Sequence, residues 1–183
     1  MRTHYDVEIA GITRPLPLFP VGDIQIAGFI IFGDVEITMA SATALLKKAP
    51  RFDCLLTSEA KSIPLLYEMS RISGKKYYIA RKGVKAYMRD VVSCAVESIT
   101  TAGAQMLHLD GADAAEMSGK RVLLVDDVIS TGSSLRALNE LVTKAGGAVC
   151  GQMAILAEGD AVKRDDIIFL ATLPLFDLEG NEL

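Results

Sequence analysis

Apolar residues along this chain recur at two spacings, one that suits helices and one that suits buried strands. The run Ile37 to Ala49, ITMASATALLKKA, has helical spacing and stops at Pro50. A residue before proline avoids helical backbone, so a first helix ends near Ala49. FDCLLTS (52–58) is a short unbroken apolar run and predicts a buried strand. SIPLLYEMSRISG (62–74) predicts a helix closed by Gly74, and KKYYIARK (75–82) a further strand. KRVLLVDD (120–127) is the kind of continuous apolar run that a parallel sheet buries on both faces. VISTGSS and the helix LRALNELVTKAGG (135–147) follow it, and Gly151 to Leu156 and IIFLATL (167–173) close the chain with two strands. Strand, loop, helix, strand is βαβ grammar. It predicts an α/β fold with a parallel-sheet core flanked by helices.

Two stretches break the pattern. Residues 1 to about 25 contain Pro15, Pro17, Pro20 and Gly22, and read as turns and short extended pieces. We take 1–35 as a small N-terminal hood or flap and 36–183 as the core. Residues 83–115 read as a long mobile loop or a hairpin, with strand-like MLHLDG (106–111) after the polar ESITTAGAQ (97–105).

Composition narrows the class. A chain of 183 residues, 50% hydrophobic and 23% charged, can bury a real core, which excludes disorder and small disulfide scaffolds. The net charge of −4 argues against a nucleic-acid partner, so an anionic ligand must be met by a local cationic cluster. Cys54, Cys94 and Cys150 lie in separate segments, and His4 and His108 are far apart, which gives no zinc pattern and suits reduced thiols in a cytoplasm. Asp6 and Glu8 interrupt the N-terminus where a signal peptide needs an apolar stretch, and Asp34 and Glu36 break Ile26 to Ala40, so no membrane is expected.

The candidate chemistry lies in VLLVDDVISTGSSL. An apolar strand delivers Asp126 and Asp127 at its C-terminal end, where open α/β sheets bind ligands. Val128 and Ile129 lead into Ser130, Thr131, Gly132, Ser133 and Ser134, which open a helix with free backbone N–H groups, a glycine, hydroxyls and the positive end of the helix dipole. Adjacent aspartates alone make a turn or an N-cap, and Ser-Thr-Gly-Ser alone starts many helices. Joined at this spacing they combine acceptors for sugar hydroxyls with a phosphate nest, which suits a ribose 5-phosphate.

These residues resemble the signature of type I phosphoribosyltransferases, which bind 5-phospho-α-D-ribose 1-diphosphate (PRPP). TSEAKSIPL resembles the diphosphate loop of that family, with Glu59 and Ala60 like the Glu-Ala of adenine enzymes and Lys61 to Leu65 like the Lys-Gly-Ile-Pro-Leu of orotate enzymes. ARKGVKAY resembles the family's Arg-Lys-x-x-Lys segment. The resemblance covers roughly Ile37 to Leu173, and implies that Asp126, Asp127 and residues 128–134 hold the ribose 5-phosphate. It implies that Glu59, Ala60, Lys61, Arg81, Lys82 and Lys85 meet the diphosphate, and that Mg²⁺ arrives with PRPP with no certain protein ligand. A flexible loop, here 97–105, is expected to close over PRPP. Typical adenine enzymes carry Glu-Tyr-Gly in that loop, whereas this chain has Ser98 to Gly103, leaving Glu97 as the nearby acidic residue.

The base is expected under the N-terminal hood, against Phe19, Val21, Ile24 and Phe29. The same segment reads equally as a flap packed on the core or on a second subunit of a homodimer. The resemblance implies a purine acceptor, adenine first, with xanthine, hypoxanthine/guanine or orotate and a noncatalytic PRPP-binding regulator as alternatives. Outside the motif, His108 reads as a packed or hydrogen-bonded strand residue and Cys54 as core filling.

Overall fold

The computed structural model describes residues 2–96 and 105–183. Five parallel strands form the central sheet in the order β10-β9-β8-β4-β5. They are β4 (Cys54–Ser58), β5 (Tyr77–Ala80), β8 (Arg121–Ile129), β9 (Ala148–Glu158) and β10 (Ile168–Leu173). Helices α1 (Val35–Lys48) and α2 (Ile63–Ser73) cover one face, and α4 (Ser133–Lys144) the other. Alternation along β8 divides the core. Val122 and Leu124 join the α4 cluster, while Leu123 and Val125 join the cluster with Ile37, Leu45, Leu65 and Leu66 of α1 and α2. The α/β expectation therefore holds for the central sheet and the helices α1, α2 and α4 that flank it.

The helix ends follow their sequence signals. The Asp34 carboxylate caps α1 by accepting from Ile37 N–H at 3.1 Å, and Lys47 and Lys48 occupy the last turn ahead of Pro50. Gly74 N–H closes α2 onto Ser70 O at 2.8 Å. Helix α1 starts two residues before the apolar run suggested, because the cap lies at Asp34. No helix among the described residues is long and apolar enough to cross a membrane.

The N-terminal stretch is more regular than expected: β1 (His4–Ile9), β2 (Ile12–Val21) and β3 (Ile24–Ala27) form an antiparallel meander. Its first turn places Ala10 at φ 52° and Gly11 at φ 84°, the two positive values that a tight two-residue hairpin requires. Strand β2 tolerates three prolines because its first half pairs with β1 and its second with β3. Pro15 and Pro17 stand opposite Asp6 and His4, and Pro20 opposite Gln25, at positions where the absent N–H breaks no ladder bond. Val7, Ile9, Leu16 and Ala27 sink into the α1/α2 cluster. Gln25 exchanges backbone bonds with Phe176, and its side chain donates to Asp177 O and Leu178 O, which ties the meander to the C-terminal segment.

Residues 83–115 contain the two arms of a hairpin, β6 (Val92–Val96) and β7 (Gln105–Leu109), and then α3 (Gly111–Met117), a short helix that periodicity did not predict. Asp110 caps α3 through Ala112 N–H at 2.9 Å. His108 sits in β7 with Nδ1 2.8 Å from Ser93 Oγ, as a hydrogen-bonded strand residue. Of the closing-loop expectation at 97–105, residues 97–104, including Glu97 as a catalytic group, fall outside the described residues, and Gln105 opens β7.

Candidate active site

Three C-terminal strand ends stand side by side, those of β8, β4 and β5. At about 4.8 Å per strand they span roughly 10 Å, the scale of an extended sugar phosphate. Strand β8 delivers Asp126 and Asp127 to opposite faces. Asp126 lines a pocket of about 120 Å³ together with Val128 to Leu135, and Asp127 turns toward the start of α2.

Ser62 joins the two carboxylates. Its hydroxyl donates to Asp126 Oδ1 at 2.6 Å, lies 3.0 Å from Asp127 Oδ1, and accepts from Asp127 N–H at 2.8 Å. Lys61 Nζ adds an ion pair to Asp127 Oδ2 at 3.3 Å. That contact is Coulombic, since the buried Oδ2 has no hydrogen-bond partner among the described residues. Burial first, and then the charge of Asp127, push the Asp126 carboxyl well above the ordinary carboxylate range. Perturbed acids at a strand end mark functional sites. Ser62 carries no signal of its own in the sequence, because its role depends on β4 lying beside β8.

The cradle is built by the turn into α4. Gly132 is the N-cap residue at φ 73° and supplies no capping side chain, which leaves the helix start open to a ligand apart from the long Ser133 contact to Thr131. Ser133 N–H reaches Thr131 Oγ1 at 3.4 Å, and the Thr131 hydroxyl lies 3.2 Å from Ser133 Oγ. The pocket thus offers hydroxyls and backbone donors with one carboxylate at its edge, which suits a phosphate esterified to a sugar.

On the β4 and β5 side, the Glu59–Ala60 peptide bond is cis. Glu59 accepts from Lys82 N–H at 3.1 Å and pairs with Arg81 Nε at 3.3 Å. Glu59 thereby links the loops that follow β4 and β5. Arg81 is further fixed by backbone bonds to His108 of β7 at 2.8 Å in both directions. Lys82 is exposed and Lys85 partly so, on the turn after β5. The structure joins Lys61 to the acidic pair directly and brings Arg81 to the neighbouring strand end.

The hood residues stand apart from this cluster. Phe29 is buried with Ile31 and Ile37 in the α1/α2 core, which gives it a packing role. Phe19 and Val21 are about half exposed, Ile24 partly buried, and the Phe19 ring lies over Gly28, where an added Cβ would sit 2.6 Å from Cε2. None of the four lines the cradle pocket. Among the described residues no group of three or more His, Cys, Asp or Glu could hold a metal by itself. The acidic pair, with Asp127 Oδ2 lacking a hydrogen-bond donor, still fits a hard cation carried in on substrate oxygens.

The family model described as phosphoribosyl transferase domain matches residues 38–174. A hypoxanthine/guanine phosphoribosyltransferase of Methanotorris igneus is 31% identical over 124 residues, covering 67% of this chain and 64% of that protein. An adenine phosphoribosyltransferase of Petrotoga mobilis is 30% identical over 57% of each protein, so the matches span less than two thirds of these relatives' lengths. The adenine phosphoribosyltransferase of Thermotoga neapolitana is 31% identical over 161 residues, 83% of this chain and 88% of that protein. The crystal structure of the adenine phosphoribosyltransferase from Thermoanaerobacter pseudethanolicus shares the fold, with a TM-score of 0.72 at 21% identity over 86% of this chain and 95% of that one. On the residues matched and the fold shared, this chain belongs to the phosphoribosyl transferase domain family.

Proposed function

We propose that this chain is a purine phosphoribosyltransferase that moves the 5-phosphoribosyl group from PRPP to adenine, giving AMP and diphosphate in cytoplasmic purine salvage. The observation that carries this reading is the acidic pair joined to Lys61 through Asp127, beside an uncapped helix start built for phosphate. Support for adenine comes from the Thermotoga neapolitana relative, whose match is long on both sides. The Methanotorris igneus relative supports a second reading in which an oxopurine is the acceptor.

In this mechanism a ring nitrogen of the base displaces diphosphate from C1 of PRPP. The C1–O bond breaks, the N–C1 bond forms, and the ring-nitrogen proton leaves to solvent. The ring passes through an oxocarbenium-like transition state, so the protein's work is positioning and charge stabilisation. The cradle from Ser130 to Ser134 holds the 5-phosphate, while Asp126 and Asp127 accept from the ribose hydroxyls. Lys61, Arg81, Lys82 and Lys85 face the charge that grows on the departing diphosphate. When bound, Mg²⁺ neutralises part of that charge, and Asp126 and Asp127 are the residues that would hold it. The meander of 1–35 acts as the hood over the base, on a core of 36–183.

The test is diphosphate release from PRPP and Mg²⁺ with adenine, hypoxanthine, guanine, xanthine, orotate and uracil offered separately, beside a no-base control. Release with adenine alone is the expected result. Release only with hypoxanthine and guanine would move the substrate to the second reading, and silence with every base would point to a PRPP-binding regulator.

We also propose a homodimer through the face around the start of α1. Ile30, Phe32, Val35, Met39 and Tyr67 are each half or more exposed there, around a largely apolar pocket of about 260 Å³. A patch of this kind marks an association surface. Sedimentation should give twice the chain mass, and Met39→Glu should shift it toward the monomer; a wild-type monomer would refute the proposal.

A further inference from the structure

The cradle meets its phosphate with no charge of its own. Residues 128–135 are all uncharged, and the nearest charged groups on β8 are the anions Asp126 and Asp127. A helix start supplies about half a positive charge, which leaves a dianionic phosphate beside two carboxylates short of compensation.

Two guanidinium groups lie against the loop, and that of Arg164 is the nearer to Gly132. An ideal Cβ built on Gly132 runs into Arg164 Nη1 and stands 3.4 Å from Arg164 Cζ. Arg164 follows the 3₁₀ turn Gly159–Lys163 that ends β9, far from the signature in sequence. Its other nitrogens are engaged, with Nε donating to Asp166 Oδ1 at 2.9 Å and Nη2 to Asp166 Oδ2 at 2.7 Å. Asp166 is in turn held by Gln152 Nε2 of β9 at 3.1 Å. This two-point fork fixes the guanidinium plane and leaves Nη1 as the end turned to Gly132. The side chain is 28% exposed, so the charge is only partly screened by water. Arg136 Nη1, on α4, meets the same loop by donating to Thr131 O at 3.2 Å.

We propose that Arg164, oriented by Asp166, is a positioning residue for the sugar 5-phosphate: it stands behind Gly132, holds the cradle in shape, and supplies the positive charge that the loop lacks. This rests on the functional reading above. It also explains why position 132 bears no side chain. The glycine is needed for its positive φ and equally because the guanidinium occupies the space a Cβ would take. The Asp166 carboxylate cancels the Arg164 charge at long range, but Nη1 is the near end, so the cradle faces the positive pole of the pair.

The experiment is calorimetric titration of wild type, Arg164→Gln and Arg164→Lys with ribose 5-phosphate, and separately with diphosphate and Mg²⁺. Ribose 5-phosphate affinity should fall about tenfold in Arg164→Gln, the scale of one partly screened charge, while diphosphate affinity stays unchanged. Arg164→Lys keeps the charge without the fork and should lose roughly threefold, which keeps the test open if the glutamine variant does not fold. In turnover, the KM for PRPP should rise with kcat nearly constant, a pattern that a general folding defect would not give. Unchanged ribose 5-phosphate affinity in a folded variant, or equal losses for both ligands, would overturn the inference alone. A wild-type chain that binds neither ribose 5-phosphate nor PRPP would overturn the functional reading, and this inference with it.

Discussion

Replacing Asp126 and Asp127 together by asparagine is expected to lower diphosphate release by roughly 10³-fold or more, the scale of removing prearranged charge from a reacting site, while leaving the chain folded. An amide keeps the shape and can still accept from Ser62, but it cannot counter a cationic sugar ring or a substrate-borne metal ion. The folded half of this expectation follows from burial. Asp127 is 4% exposed, and Asp126 is held above its ordinary titration range by desolvation and by its neighbour's charge. A carboxyl whose folded pKa is raised contributes stability that is full below the unfolded pKa and is lost as pH rises through the folded pKa. Ligand-free wild type should therefore lose stability as pH rises from about 4 to about 7, the window set by that upward shift. Asp126→Asn should flatten this slope and be the more stable protein at pH 8, because it removes a buried charge set against that of Asp127. Thermal melting across pH checks the stability claim, and diphosphate release checks the catalytic one. Near-wild-type turnover in the double variant would sink the site assignment.

Gly132→Val should abolish sugar-phosphate binding, weakening PRPP by roughly 10²-fold or more by calorimetry, a loss of two decades in affinity. Two separate costs add at this position. A branched side chain at φ 73° is a backbone outlier, and its Cβ would also displace the Arg164 guanidinium. Moving either one reshapes the turn that presents the first N–H groups of α4. The melting temperature should fall only modestly, since the loop lies outside both hydrophobic clusters. PRPP affinity that survived the change would place the phosphate elsewhere.

The parts of this protein whose physics is local can be read directly from the chain. Continuous apolar runs made β4, β8 and β10 legible, and Pro50 and Gly74 marked where helices stop. The acidic pair and the Ser-Thr-Gly turn were legible because a phosphate nest is made by neighbours in the chain. Local rules failed where pairing overrides propensity. Three prolines argued against a strand at 12–21, yet β2 forms because it changes partner from β1 to β3 along its length. Helix α3 is too short for periodicity and depends on its Asp110 cap.

How the site is joined depends on which strands become neighbours in the sheet. Ser62 bridges Asp126 and Asp127 across 64 and 65 residues of chain because β4 and β8 are neighbours in the sheet. Phe29, read from sequence as a hood residue facing the base, is buried beside Ile37 instead. Arg164 reaches Gly132 because β9 lies next to β8, so the residue after the turn that ends β9 can extend its side chain to the loop that follows β8. Side-chain chemistry and local spacing are written in the chain, but the distance between remote side chains is set by strand order.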